Sequence, residues 1–160
     1  MKKFKTMMAM MLALVSMCVA FSSCSSDDDN NTVAAAKEIA GSYTSSLDMT
    51  VMGQASTYDN VTMKIEAVDD ATVKVTLPAC GEDMMALPAL EVPAVKVSGS
   101  NGAYAFSQES YAGTVTVNGA EKKYTVTLQG TFKDNTLSVN YSVQYGKMPA
   151  AMIGKFVCKK

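Results

Sequence analysis

The sequence predicts an all-β domain, a small antiparallel up-and-down barrel of about eight strands. From Ser42 onward apolar side chains recur at every second position, which is the period of a strand with one buried face. Turn signals such as Asn118-Gly119 and Asp134-Asn135 separate those runs at short, regular intervals. No stretch of this region has the length and 3.6-residue periodicity of a long helix. Evenly spaced, meandering strands fit a barrel or a two-sheet sandwich. The barrel is preferred because closure removes exposed edges, and because Gly130, inside a long strand, would let it bend at a barrel corner.

Residues 1–23 read as a secretory signal. Lys2, Lys3 and Lys5 precede an apolar run over residues 7–21 that is broken only by Ser16. The run is shorter than the ~20 residues a membrane-spanning helix needs. Cys24 follows the small residues Ser22 and Ser23, the pattern of a bacterial lipoprotein signal with Cys24 as the acylated first residue. Ordinary cleavage after Ser22 is the alternative. Residues 24–38 form an acidic tether in which Asp27, Asp28 and Asp29 follow the cysteine closely. Such a run extends by self-repulsion. It also resembles the surface-export signal of Bacteroidetes lipoproteins. Val33 to Ile39, rich in Ala, are expected to make a short helical turn that Gly41 stops.

The barrel is expected over residues 39–160. Tyr43, Leu47, Met49 and Val51 alternate with polar neighbours and end at Gly53; Val61, Met63 and Ile65 form the next run. Val73, Val75 and Leu77 follow the Asp69-Asp70 turn and stop at Pro78, and Val92, Val95 and Val97 lead to Gly99 and Gly102. Tyr104 and Phe106 then read as one short strand and Val115 and Val117 as another. The clearest runs are Tyr124, Val126, Leu128 and Phe132, then Leu137, Val139, Tyr141, Val143 and Tyr145. A last short strand covers residues 153–158. The total is eight or nine strands.

Composition excludes several chemistries. The chain has no His, no Trp and, with every basic residue a Lys, no Arg. Catalytic triads, Cys-His pairs and His-containing zinc sites cannot be built. The bidentate clamp for phosphate or guanine is missing. Three of the fourteen basic residues leave with the leader, and the eleven that remain face fifteen acidic ones, so the mature chain is acidic and a poor nucleic-acid partner. Gly99-Ser100-Asn101-Gly102 lacks the spacing of a nucleophile elbow, and no acidic loop has calcium-ligand spacing. No catalytic residue, metal site or cofactor is therefore assigned. Cys80 and Cys158 remain in the exported chain as either one disulfide or two separate thiols.

Ala40-Gly41-Ser42-Tyr43-Thr44, Gly113-Thr114-Val115-Thr116-Val117 and Lys123-Tyr124-Thr125-Val126-Thr127-Leu128-Gln129-Gly130-Thr131-Phe132, followed by Leu137-Ser138-Val139-Asn140-Tyr141, carry a family likeness. Together they resemble the calycin-like lipoprotein domain of Bacteroidetes, from about Ile39 to the C-terminus. The resemblance implies a lipocalin-type barrel of about eight strands. Gly41-Ser42-Tyr43 stands where lipocalins carry Gly-x-Trp, and the arginine that packs over that Trp has no counterpart in a chain without Arg.

Two groups are candidates for a ligand site. Residues 84–93 are Met-rich, apolar and punctuated by Pro88 and Pro93. Met84, Met85, Leu87 and Leu90 would either form a lid over a barrel mouth or fill the barrel end as a crossing segment. Tyr43, Tyr104, Tyr124 and Tyr141 would line a cavity or simply join the core. The expected role is binding of a small apolar or amphipathic molecule by a protein held to the outer membrane through its N-terminal lipid. The alternative is an accessory module for a partner protein or a glycan.

Overall fold

The computed structural model describes residues 34–83 and 86–160. A short helix, α1 (Ala35–Ile39), leads into β1 (Gly41–Val51), β2 (Gln54–Ala67), β3 (Thr72–Leu77), β4 (Leu90–Ser100), β5 (Ala103–Val117), β6 (Ala120–Lys133), β7 (Thr136–Tyr145) and β8 (Met152–Lys159). Every strand pairs antiparallel with the next, and β8 returns to β1, so the sheet is a closed up-and-down barrel. The inward side chains of all eight strands form one apolar core, and among the described residues no polar or charged side chain other than tyrosine is buried.

Four hairpins use two-residue loops in which both residues have positive φ. They are Met52-Gly53 (49° and 83°), Asn101-Gly102 (54° and 78°), Asn118-Gly119 (52° and 78°) and Asp134-Asn135 (51° and 58°). Turns of this hand match the right-handed twist of the strands they join. Asn, Asp and Gly tolerate that conformation, which is why three of the four were visible as turn signals. Met52 has no such preference and is 71% exposed.

The two short runs expected around Tyr104 and Val115 are one strand, β5. A register shift between Gln108 and Tyr111 changes the phase of the alternation, so Phe106 and Tyr111 both reach the inner side despite their odd spacing. β2 also starts seven residues before Val61. Apart from the half-buried Tyr58, its first half is exposed and is held by pairing with β1.

The antiparallel order gives the barrel two distinct ends. One end carries α1, the turns at 101–102 and 134–135, and the C-terminus. Ala36 and Ile39 are fully buried there, and the Ala36 N–H donates to Asp70 O at 3.1 Å. The compact unit accordingly begins at Ala34, with the helix packed as part of the barrel. Tyr43 donates its hydroxyl to Ile39 O at 2.6 Å and meets Phe132 edge-on. Lys160 places its ammonium 5.9 Å from the Tyr43 ring centroid and 5.8 Å from that of Phe132. The cation expected to be missing over the first-strand aromatic is thus supplied by the last residue of the chain.

The disulfide allowed by the cysteine count is not formed, since Cys80 and Cys158 are free thiols. Cys158 lies near the end of β8, its thiol donating to Thr44 O at 3.4 Å. Cys80 follows β3 and sits at the opposite end of the barrel. A bridge needs Cα atoms within ~7 Å, which the length of the intervening strands prevents.

Candidate functional site

The site lies at the barrel end away from α1, where β3 crosses to β4. Pro78 ends β3, and the crossing is too long for a tight hairpin. Its two sides are joined by an antiparallel bridge: Cys80 N–H donates to Leu87 O at 3.0 Å and Leu87 N–H to Cys80 O at 2.7 Å. This fixes Leu87 over the core at 2% exposure, with Leu90 fully buried beside it at the start of β4. Both therefore act as apolar filling of the barrel end. Met84 and Met85, expected in the same segment, lie outside the described residues, as do Cys24 and Asp27, Asp28 and Asp29.

Between this crossing and the tip of β5 is an open apolar cleft of about 360 Å³, bounded by Cys80, Ala86, Leu87 and Pro88 on one side and Val117 on the other. Its size falls in the range of small-molecule sites. The same end is pinned from below by Tyr124, whose hydroxyl donates to Glu91 O at 2.7 Å. Burial, and then its neighbour Tyr111, push the Tyr124 phenol above its ordinary 10.0.

The four tyrosines do not converge on one cavity. Tyr43 and Tyr104 belong to the α1 end, where Tyr104 stacks on Phe132 with ring centroids 6.5 Å apart. Burial, and then Cys158, push the Tyr43 phenol up to about 12. Tyr141 stands alone in another respect. It is 3% exposed, and its hydroxyl has no hydrogen-bond partner in the protein. Burial raises its phenol far above the usual tyrosine range, with the Cys80 thiol as the second cause. Cys80 borders the cleft and packs against the core. Its own thiol is pushed up to about 11 by burial, which leaves it protonated and unreactive at neutral pH.

Tyr141 is held by Gly154, its direct partner on β8, because a Cβ at that position would collide with the ring. Phe106 covers Gly130 in the same way across β5 and β6. Gly130 therefore serves as the seat of a ring. Sequence reasoning missed Gly154, although the signal was present: it falls in phase with Met152, Phe156 and Cys158, where only a neighbour's ring can fill the space. Val117 was read as strand alone, since its place on the cleft depends on where the crossing segment lies.

Among the described residues no group of three His, Cys, Asp or Glu side chains could hold a metal ion. The ion pairs of this region, Lys74 with Glu66 at 2.8 Å and with Glu91 at 3.7 Å, belong to the outer face of the sheet. The cleft offers apolar contact, and its lining carries no ionised side chain.

The family model of the calycin-like beta-barrel domain matches residues 39–159. A crystal structure from Bacteroides fragilis, of a protein with the provisional designation of outer membrane protein, shares the fold with a TM-score of 0.68. It is 23% identical, the match covering 81% of this chain and 54% of that one. This chain therefore spans about half the length of that relative. No curated protein matches the sequence.

Proposed function

Because the chain belongs to the calycin-like β-barrel domain family, matched over residues 39–159, we propose that it is a lipid-anchored outer-membrane protein whose barrel binds a small apolar or amphipathic molecule without converting it. The observation that carries the binding reading is the apolar cleft beside Cys80 and Leu87. The designation of the Bacteroides fragilis relative supports the location. The lipid would be attached at Cys24, with Asp27, Asp28 and Asp29 directing export to the cell surface. The described chain begins at the barrel end opposite the cleft.

Native mass spectrometry of the mature protein, released from its own cell envelope, tests the binding reading. A co-purifying apolar molecule that dissociates on denaturation is the expected result. A bare mass from every preparation would count against it. Replacing Cys24 with Ala should move the protein from the membrane fraction to the soluble one, and membrane retention would contradict the anchor.

A second reading, docking of a partner protein, draws on one feature. β3 pairs with β2 only from Lys64 to Ala67, so the first half of β2 pairs through β1 alone. An extended segment of a partner could add to that edge. Crosslinking in intact cells that yields only monomer would dismiss it.

A further inference from the structure

We infer that Tyr141 is the hydrogen-bond donor of the ligand site, and that the molecule it receives is an apolar chain bearing one uncharged acceptor, such as an ester or ketone oxygen. The inference rests on the binding reading above and specifies its ligand. Among the described residues, the Tyr141 hydroxyl is the one buried side-chain nitrogen or oxygen without a hydrogen-bond partner. Tyr43 and Tyr124 direct their hydroxyls to the backbone carbonyls of Ile39 and Glu91. Tyr141 is equally buried, yet its hydroxyl meets no acceptor. An unpaired buried hydroxyl costs about 1–3 kcal/mol, and phenylalanine would fill the same space without that cost.

The ring cannot swing away to find water. Gly154 seats it from β8, and the position is inward on a strand paired on both sides, with Leu128 and Gly154 opposite. The phenol is therefore a fixed donor. Cys80, which borders the apolar cleft, packs against the same core that holds Tyr141. A ligand lodged against Leu87 and Val117 that displaces the Cys80 side chain would present its inner end to the Tyr141 hydroxyl.

The charge of that inner end follows from its surroundings. The described core buries no Lys, so a carboxylate would meet no counter-charge there and would retain its desolvation cost. Lys122 shares the inner-facing phase of β6 with Tyr124, but it is exposed, nearer the hairpin tip. An acid would gain more by leaving its carboxylate at that rim. The inner acceptor is thus neutral.

The test uses the mature chain with Cys24→Ser, titrated at pH 8 with methyl decanoate, decanoate and decane and followed by the NMR signal of the Leu87 methyl groups. Methyl decanoate is expected to bind, and Tyr141→Phe to weaken it about fivefold, the worth of one neutral hydrogen bond. Decane should bind the two proteins equally, and the melting temperature of Tyr141→Phe should not fall. Equal losses for ester and alkane would make Tyr141 a matter of shape and overturn the donor role while leaving barrel binding intact. An affinity for decanoate that depends on Tyr141 would overturn the neutral acceptor. If none of the three probes binds the unsubstituted barrel, both this inference and the binding reading fail.

Discussion

The Lys160 ammonium lies 5.9 Å from the ring centroid of Tyr43, joining the last residue of the chain to the first inward side chain of β1. It also reaches Glu38 O at 3.4 Å, and its backbone N–H donates to Asn135 O. One side chain thereby ties α1 to the barrel. Lys160→Ala is expected to lower stability by about 1 kcal/mol, the worth of a partly exposed cation over an aromatic face. Lys159→Ala, an exposed neighbour without such contacts, should change little. Urea unfolding of the two variants checks this, and equal midpoints would show that Lys160 contributes nothing there.

The glycine seats make a second prediction. Gly154→Ala and Gly130→Ala would drive a methyl group into the Tyr141 and Phe106 rings, on a sheet that closes on itself and cannot splay. Each should cost about 1–3 kcal/mol as overpacking. Gly154→Ala combined with Tyr141→Leu should be less damaging than the two single losses added together. Additive losses in chemical unfolding would mean that the ring and the glycine are not coupled.

The extent to which the sequence disclosed the fold depended on which force held each element. The core strands β6 and β7 were legible because alternate burial writes itself into every second residue. The start of β2 was not, because residues 54–60 pair with β1 and only Tyr58 among them packs against the core, which leaves no alternating apolar pattern. The division of β5 into two runs came from the register shift at Gln108, which reverses the phase. At the site, Leu87 and Leu90 could be singled out by composition. That Tyr141 differs from Tyr43 and Tyr124 could not, because an unpaired hydroxyl is a property of its surroundings and not of the residue type.

Stability should decline in alkali, starting below the ordinary tyrosine range. In the unfolded chain Cys80 releases its proton near 9.0, whereas in the barrel burial holds it to about 11. Tyr43 releases near 10.0 when unfolded and at about 12 when folded, and Tyr141 shifts in the same direction. Between each pair of values the native state binds more protons than the unfolded one, so rising pH favours unfolding. All these contributions are intact below pH 9, begin to be lost through Cys80, and fall more steeply above pH 10. Melting temperatures from pH 7 to 11 should trace this curve. Tyr141→Phe should flatten the part above pH 10, and an unchanged slope would remove Tyr141 from the account.

The separation of the two thiols carries a last prediction. With Cys80 and Cys158 at opposite ends of the barrel, oxidation cannot join them without unfolding. The mature chain with Cys24→Ser should therefore show two free thiols per molecule when denatured without reductant. Both should react slowly in the native state, because Cys158 is 8% exposed and burial keeps the Cys80 thiol protonated. Reductant should leave the melting temperature unchanged. A native bridge closing a loop this long would stabilise the barrel by about 4–5 kcal/mol on the chain-entropy model, so its reduction would lower the melting temperature by many degrees. A reductant-sensitive melting curve would thus contradict the placement of β3 and β8 described here, and not merely the state of two side chains.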